Sequence, residues 1–356
     1  MDQADFVQWL KAEGLFHLVD RNFRAFLPVL SDCLKVHKEF VLIIGDLGYK
    51  DRRVAALMSG CYLLAAKRLG LKYKLVIQQP KKVHSSADDL LIQALRSLNE
   101  RNVIVMAISG KLGSMKALGK SFRRHVKSQG HRFASTISLQ ELSTDKFSCL
   151  VSAVNIDYAA LQAKGKVIKE KIDHASELRL VTSSGTDLVV DIRRKFAVAN
   201  TGDYSNVRSG GNIPCGEVYI APRGRNANGR VVIDASIKIR DDTVLVKTPV
   251  VLTVRDSLVV AIEGAEEAGL FRKSLAAAEK AAKFPWGIRR LAEVGIGINQ
   301  NATIAGPTII NEKVLGTAHI ATGSNVWFGG TVFAVTHFDL VMRNPTVYLD
   351  KRRLVV

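Results

Sequence analysis

The stretch FVLIIGDLGYKDRRVAALMSGCYLLAAKRL, residues 40–69, decides how the first half of the chain folds. Residues 40–44 form a short apolar run with several β-branched side chains, which predicts a buried strand. Residues 51–69 then carry apolar side chains at helical spacing and end before Gly70. A strand without a polar face, followed by a helix, is typical of a parallel sheet that is covered on both sides.

The same alternation extends in both directions from this stretch. The other elements predicted in this half are strands at residues 74–77, 103–108 and 132–136 and helices at residues 5–18, 23–34, 86–98 and 114–126. We therefore expect residues 1–147 to form an α/β domain with a Rossmann- or flavodoxin-like parallel sheet.

Two loops that follow buried strands are the candidates for a nucleotide site. They read GDLGY from Gly45 and SGKLG from Ser109. Neither contains G-x-G-x-x-G, and the lysine of the second is not followed by the Ser or Thr of a P-loop. Tight turns between strand and helix explain these glycines, and no bound dinucleotide or ATP is predicted.

From residue 148 onward the pattern changes to many short strands. Two helices are predicted among them, at residues 157–174 and 264–283. We expect residues 148–356 to form an α+β domain with a large mixed, mostly antiparallel sheet. A chain of 356 residues exceeds the usual size of one domain, which agrees with this division.

Composition narrows the class of protein. Hydrophobic residues make up 47% and charged residues 24%, which is typical of a globular protein. The apolar runs are strand-sized and the first residues are charged, so neither a membrane span nor a secretory signal is predicted. The four cysteines are isolated, which favours a reducing cytoplasm; they are Cys33, Cys61, Cys149 and Cys215.

The net charge of +18 raises the possibility of nucleic-acid binding. The excess is spread over short clusters such as Lys81-Lys82 and Arg123-Arg124, without a long basic run. Aromatic residues are only 7%, so no stacking platform is evident. We expect a generally basic surface and no specific nucleic-acid partner.

Residues 313–339, KVLGTAHIATGSNVWFGGTVFAVTHFD, contain the densest set of potential metal ligands. His337 and Asp339 lie two residues apart at the end of a strand predicted at residues 331–336, so they point to the same face. A glycine-rich turn can bring His319 beside them. Two histidines and one carboxylate are a recurring divalent-metal set. The alternative is two solvated histidines and an aspartate that closes a turn.

Two glutamates join this set. Glu217 follows Pro214 and Gly216 just before a predicted strand, and Glu293 precedes the glycines of VGIG. A buried carboxylate needs a partner. A metal ion or a salt bridge to Arg230 or Arg240 would provide one.

The segments NIPCGEVYIAP, AEVGIGIN, GTAHIATGSN, THFD and NPTVYLD occur in this order between residues 175 and 350. Together they resemble the motifs of the thermophilic aminopeptidase family of metallopeptidases. That family includes shorter relatives that act as 2,5-dihydroxypyridine dioxygenases. The resemblance covers the second half of the chain by motif, and the first half agrees with it in architecture only.

The resemblance implies five metal ligands, which are Glu217, Glu293, His319, His337 and Asp339. In an aminopeptidase they would hold two divalent ions, zinc or cobalt, with Asp339 or Glu217 as the bridge. A metal-bound water would attack the peptide carbonyl. Glu293 or Glu217 would serve as general base. The protein is then expected to be a cytoplasmic homodimer that removes N-terminal residues from peptide substrates.

Two departures from the family pattern stand out. The peptidases carry a tyrosine seven residues beyond the histidine of the HIA motif, and Val326 occupies that position in this chain, so Tyr219 or Tyr204 would have to replace it. Cys215 replaces a small alanine.

Two other readings stay open. One is a non-haem Fe(II) ring-cleaving dioxygenase of the 2,5-dihydroxypyridine type, in which His319, His337 and Asp339 form the facial triad. The other is a metal-free binding protein on the same fold.

Overall fold

The computed structural model describes residues 1–82, 84–115, 118–119, 121–240 and 242–356. The chain divides into two compact units, and each consists of two segments. The first unit is Met1–Ala159 with Gly202–Cys215, and the second is Ala160–Thr201 with Gly216–Val356. The domain division predicted after residue 147 stays a prediction, because compactness does not test whether either part folds alone.

The regular elements are numbered in chain order. The α-helices are α1 Gln3–Ala12, α2 Phe16–Asn22, α3 Val54–Arg68, α4 Asp89–Ser97, α5 Phe122–Ser128, α6 Phe147–Val154, α7 Tyr158–Asp173, α8 Glu266–Ala281 and α9 Thr308–Asn311. The strands are β1 Val41–Asp46, β2 Tyr73–Gln78, β3 Val103–Ala107, β4 Arg132–Thr136, β5 Glu177–Val181, β6 Asp187–Asp191, β7 Val198–Asn200, β8 Gly210–Asn212, β9 Glu217–Ile220, β10 Ala227–Ile233, β11 Ser236–Lys238, β12 Thr243–Leu245, β13 Val250–Arg255, β14 Leu258–Glu263, β15 Leu291–Gly297, β16 Thr317–Gly323, β17 His337–Arg343, β18 Thr346–Leu349 and β19 Arg352–Leu354.

The first unit contains a five-stranded parallel sheet in the order β2-β1-β3-β4-β8. Every residue of β1 and β3 is buried, as expected for strands covered on both faces. The order of the first four strands is that of flavodoxin-like folds. The predicted α/β fold is therefore confirmed.

The fifth strand of this sheet was not predicted. β8 consists of Gly-Gly-Asn, a sequence without strand propensity. A Cβ added to Gly210 would lie 2.4 Å from the carbonyl oxygen of Phe133, so a glycine is needed for β8 to lie so close to β4. Its place in the sheet comes from this tertiary contact.

Two helix predictions in this unit were wrong in extent. The helix predicted at residues 23–34 is a 3₁₀ turn, Phe23–Phe26, followed after Pro28 by a π-helical turn, Val29–Cys33. The helix predicted at residues 114–126 begins only at Phe122. Residues 116, 117 and 120 of that prediction lie outside the described residues.

The second unit contains two seven-stranded sheets, with the orders β14-β13-β10-β6-β5-β18-β19 and β12-β11-β17-β16-β15-β9-β7. Their neighbouring strands pair antiparallel. The predicted α+β fold is confirmed, with its strands shared between two sheets. Among the described residues, no helix is long and apolar enough to cross a membrane.

The prediction of a strand at residues 331–336 was wrong, because these residues form a loop and β17 begins at His337. The segment before it is held by a side chain. Asn325 accepts a hydrogen bond from the N–H of Val332 (2.8 Å) and donates one to the carbonyl of Ala292 (2.9 Å). These contacts satisfy backbone groups that a ladder would otherwise use.

Candidate metal centre

Four neighbouring strands bring the five predicted ligands to one face of the second sheet of the second unit. Glu293 on β15, Ala321 on β16 and Asp339 on β17 are paired in one row across the sheet. In the next row, Gly295 is paired with His319. Because alternate residues of a strand share a face, the small residues between the ligands leave room for their side chains.

Glu217 and His337 complete the set from the two flanks. Glu217 opens β9 and is paired with Gly297 of β15. His337 opens β17, two residues before Asp339, so the two side chains share a face, as predicted from their spacing. The antiparallel pair β16 and β17 brings His319 back beside them.

Gly295 provides the space that His319 occupies. A Cβ at this position would lie 2.2 Å from both Cε1 and Nε2 of the imidazole. Since real Cβ atoms do not approach that closely, only glycine allows the ring to lie this close to the backbone of β15.

The carboxylates meet the histidines at their Nε2 atoms. Glu293 places Oε1 at 3.2 Å from Nε2 of His319 and Oε2 at 3.3 Å from Nε2 of His337. Asp339 Oδ1 lies 3.1 Å from the same atom of His337. Glu217 Oε2 lies 3.6 Å from Nε2 of His319. Both imidazole edges therefore point toward the same group of oxygens.

The second nitrogen of each histidine has a different environment. Nδ1 of His337 lies 2.8 Å from the carbonyl oxygen of Ser324, to which it can only donate a proton. That bond fixes the tautomer and leaves the lone pair of neutral His337 on Nε2, as in metal-ligating histidines. Nδ1 of His319 is buried and has no hydrogen-bond partner among the residues described.

The site is closed on one side and open on the other. The side chain of His319 is fully buried and those of Glu217 and Glu293 are 5% and 7% exposed, whereas that of His337 is 21% exposed. The Trp327 ring lies beside His337, with centroids 5.0 Å apart. A small molecule would reach the cluster from the His337 side.

Sequence reasoning missed Glu312 and Lys313, which belong to the same cluster. The ammonium of Lys313 is fully buried and donates to Oε1 of Glu217 (2.5 Å) and to Oε1 of Glu312. The salt-bridge partner of Glu217 is thus Lys313, and not Arg230 or Arg240 as the sequence suggested. The segment NEKVLG carries no signal of burial, because an adjacent Glu-Lys pair is typical of a solvated surface.

The charged groups of the cluster shift one another's pKa values. Burial opposes the protonated form of His319, but its bond to Glu293 and the charge of Glu217 raise its pKa to about 9. The pKa of His337 is likewise raised, against its burial, by Asp339 and Glu293. Burial raises the pKa of Glu312 to about 8, although Lys313 opposes this. The carboxylates thus favour the protonated form of both histidines.

The donor set fits a divalent ion. Among the described residues, three groups have ligand atoms within 4.8 Å of one another, and they are Glu217 with Glu293 and His319, Glu293 with His337 and Asp339, and Glu312 with His319 and Asp339. Imidazole nitrogens with carboxylate oxygens suit zinc, cobalt and ferrous iron alike. All five predicted ligands are in these groups, and their role as ligands stays a prediction.

Comparison with known proteins addresses the activity. The model of the family described as NicX: 2,5-dihydroxypyridine 5,6-dioxygenase matches residues 22–356. A 2,5-dihydroxypyridine dioxygenase structure from Pseudomonas putida is similar at a TM-score of 0.69 and 15% identity, covering 95% of this chain and 96% of that one. Wild-type AmpT from Thermus thermophilus is similar at a TM-score of 0.61 and 16% identity, covering 94% and 100%. No curated protein sequence matches the chain.

These findings correct the predicted activity. At 15% and 16% identity, both structural likenesses show the shared fold alone. The family match spans nearly the whole chain and points to a dioxygenase, so the prediction of an aminopeptidase, and with it of a hydrolase or protease, is wrong. The motifs misled because they mark candidate ligand positions, and carboxylates with imidazoles can hold ions for either chemistry.

Proposed function

The chain belongs to the 2,5-dihydroxypyridine 5,6-dioxygenase family, and on that premise we propose that it is a non-haem Fe(II) enzyme that opens the ring of a dihydroxypyridine with O₂. The single observation that carries this proposal is the family match over residues 22–356. The cluster on the second sheet supports it, because its nitrogen and oxygen donors suit ferrous iron.

We assign His319, His337 and Asp339 as the iron ligands. Nε2 of His319 and Nε2 of His337 both face the carboxylate of Glu293, and Asp339 Oδ1 lies 3.1 Å from Nε2 of His337. Asp339 also shares a candidate ligand group with His319. Two histidines and one carboxylate leave coordination positions open in non-haem iron oxygenases. When bound, the iron would supply the electron chemistry through which O₂ reacts with an electron-rich ring.

Neighbouring residues hold these ligands in place. One carboxylate, that of Glu293, contacts both imidazoles through its two oxygens. The carbonyl of Ser324 fixes the tautomer of His337. Trp327, which is 51% exposed, offers an aromatic face beside His337 on the open side, where a planar substrate ring can stack.

The test is oxygen consumption by protein reconstituted anaerobically with ferrous iron. With 2,5-dihydroxypyridine, we expect equimolar loss of O₂ and of the ring absorbance. His337→Ala and Asp339→Asn should abolish iron binding and O₂ uptake together, because each removes an iron ligand. His174→Ala is the matched control, since His174 is exposed directly after α7 and its replacement should leave both properties unchanged.

Two results would contradict the proposal. One is an iron-loaded wild-type chain that consumes no O₂ with 2,5-dihydroxypyridine or a catechol. The other is uptake at the wild-type rate by the double variant that lacks both His337 and Asp339.

A further inference from the structure

We propose that the ammonium of Lys313 fills the position of a second cation, so that its removal opens a latent divalent-metal site at Glu217 and Glu312. The inference rests on the proposed function in one respect: it takes the cluster to be a metal centre. It concerns a residue that lies outside all five motifs of the sequence and that no ligand assignment includes.

The ammonium lies where a metal ion would bind carboxylates. Its side chain is fully buried, and its nitrogen contacts Oε1 of Glu217 and Oε1 of Glu312. The side chain of Asn200 donates to the same oxygen of Glu217 (3.0 Å). With two donors on Oε1, only Oε2 of Glu217 faces His319. Lys313 thus takes the oxygen that a second ion would need.

The backbone fixes this position. The N–H of Lys313 donates to the carbonyl of Ile310 (3.0 Å), and its own carbonyl accepts from the N–H of Asn299 (2.8 Å). A Cβ added to Gly297 would lie 2.9 Å from the carbonyl carbon of Lys313, so the chain at Lys313 packs directly on β15. Gly297 is paired with Glu217, which explains why the lysine reaches that carboxylate.

The three potential ligand groups differ in whether they contain a carboxylate that is paired with Lys313. Two of them include a carboxylate that Lys313 holds, either Glu217 or Glu312. Among the groups formed by described residues, only Glu293 with His337 and Asp339 includes neither. Two of the three iron ligands that we assign, His337 and Asp339, are in this group, so the iron of the proposed function lies toward the His337 end of the cluster. The Lys313 end already holds a fixed positive charge, which would repel a second divalent ion.

The experiment counts metal ions directly. Chains freed of metal by chelation are titrated with Co(II), and bound cobalt is measured by equilibrium dialysis with elemental analysis. We expect about one ion in the wild type and about two in Lys313→Met, which keeps the unbranched apolar stem of the side chain and removes the ammonium. Cobalt should also raise the melting temperature of Lys313→Met more than that of the wild type, because it replaces the lost cation. Lys171→Met, at an exposed lysine of α7, should still bind about one ion.

A second variant keeps the test decisive if Lys313→Met does not fold. Glu217→Gln removes a partner of the lysine, and its cobalt content should stay at about one ion per chain. Two ions in the wild type, no additional ion in folded Lys313→Met, or loss of the bound ion in Glu217→Gln would each overturn the inference. The counts need neither substrate nor O₂. A chain that binds one ion and consumes no O₂ would therefore refute the proposed function and leave the role of Lys313 standing.

Discussion

Replacing Gly295 by alanine should weaken metal binding more than it weakens the fold. The new Cβ would stand 2.2 Å from Nε2 and Cε1 of His319, whereas ordinary contact begins at 3.4 Å. The imidazole must therefore move by about 1.2 Å, the difference between these two distances. Since His319 is fully buried, the ring has little room to move without displacing its neighbours.

The size of the effect follows from that displacement. Metal ligands tolerate errors of about 0.2 Å in distance, so His319 would lose its place in the coordination shell. Disturbing the orientation of a ligand typically lowers metal affinity by about 10- to 100-fold. That loss corresponds to about 1.4–2.7 kcal/mol. Overpacking should lower the free energy of unfolding of the metal-free chain by about 1–3 kcal/mol.

Gly269→Ala is the matched control. Gly269 lies within α8, and the nearest atom to an added Cβ is Nη2 of Arg272 at 3.9 Å. Alanine fits there and favours the helix by about 1 kcal/mol. This variant should bind metal as the wild type does. Cobalt affinity is measured by competition with a chromophoric chelator, and stability by urea unfolding of the metal-free chains. If folded Gly295→Ala binds cobalt as tightly as Gly269→Ala, His319 is not a ligand in the geometry that we describe.

Two further predictions concern the substrate and the first unit. Trp327→Ala should raise KM for 2,5-dihydroxypyridine by about 2- to 10-fold with a smaller change in kcat, since a stacked ring is worth about 0.5–1.5 kcal/mol. Trp286→Ala, at an equally exposed tryptophan, is the control, and equal effects of both changes would argue against stacking at Trp327. Burial opposes ionisation of Glu39, but hydrogen bonds from backbone N–H groups, including that of His37, together with Arg132, lower its pKa to about 2. Because this pKa is below the unfolded value of 4.5, Glu39 stabilises the fold above that pH, and the stabilisation is lost as the pH falls toward 2. The difference in free energy of unfolding between wild type and Glu39→Gln, measured in urea, should shrink as the pH falls from 4.5 toward about 2. A difference that does not change with pH would show that the ionised Glu39, paired with Arg132, does not stabilise the fold.

The parallel sheet was predictable because its signal is local. Strands such as β1 and β3 are apolar throughout, since helices cover both faces, and their boundaries fall within two residues of the prediction. β8 carries no such signal, because Gly-Gly-Asn has no strand propensity and joins the sheet through its close pairing with β4. At residues 331–336, by contrast, a strand was predicted and did not form. Its β-branched sequence favours a strand, but Asn325 holds its backbone in a loop.

The cluster was predictable to the extent that ligands have characteristic residue types. Histidines and carboxylates at two-residue spacing on a strand indicate a shared face, and glycines near Glu293 indicate room for a ligand. Glu312 and Lys313 were not predictable, because their burial comes from tertiary packing, with the backbone of Lys313 and Val314 lying against Gly297 at the end of β15. In the sequence they read as one more solvated ion pair.

What the motifs could not predict is the reaction, and Lys313 suggests a physical reason. Hydrolysis at a dinuclear centre needs two divalent ions that share carboxylates. Oxygen chemistry at a mononuclear centre needs one ion with open positions. Five ligand residues fit both cases, since carboxylates can either bridge ions or pair with a protein cation. In our proposal, one buried ammonium beside Glu217 and Glu312 decides between them by supplying a fixed positive charge. Metal stoichiometry would then depend on a residue next to the ligands, which a comparison of ligand motifs does not detect.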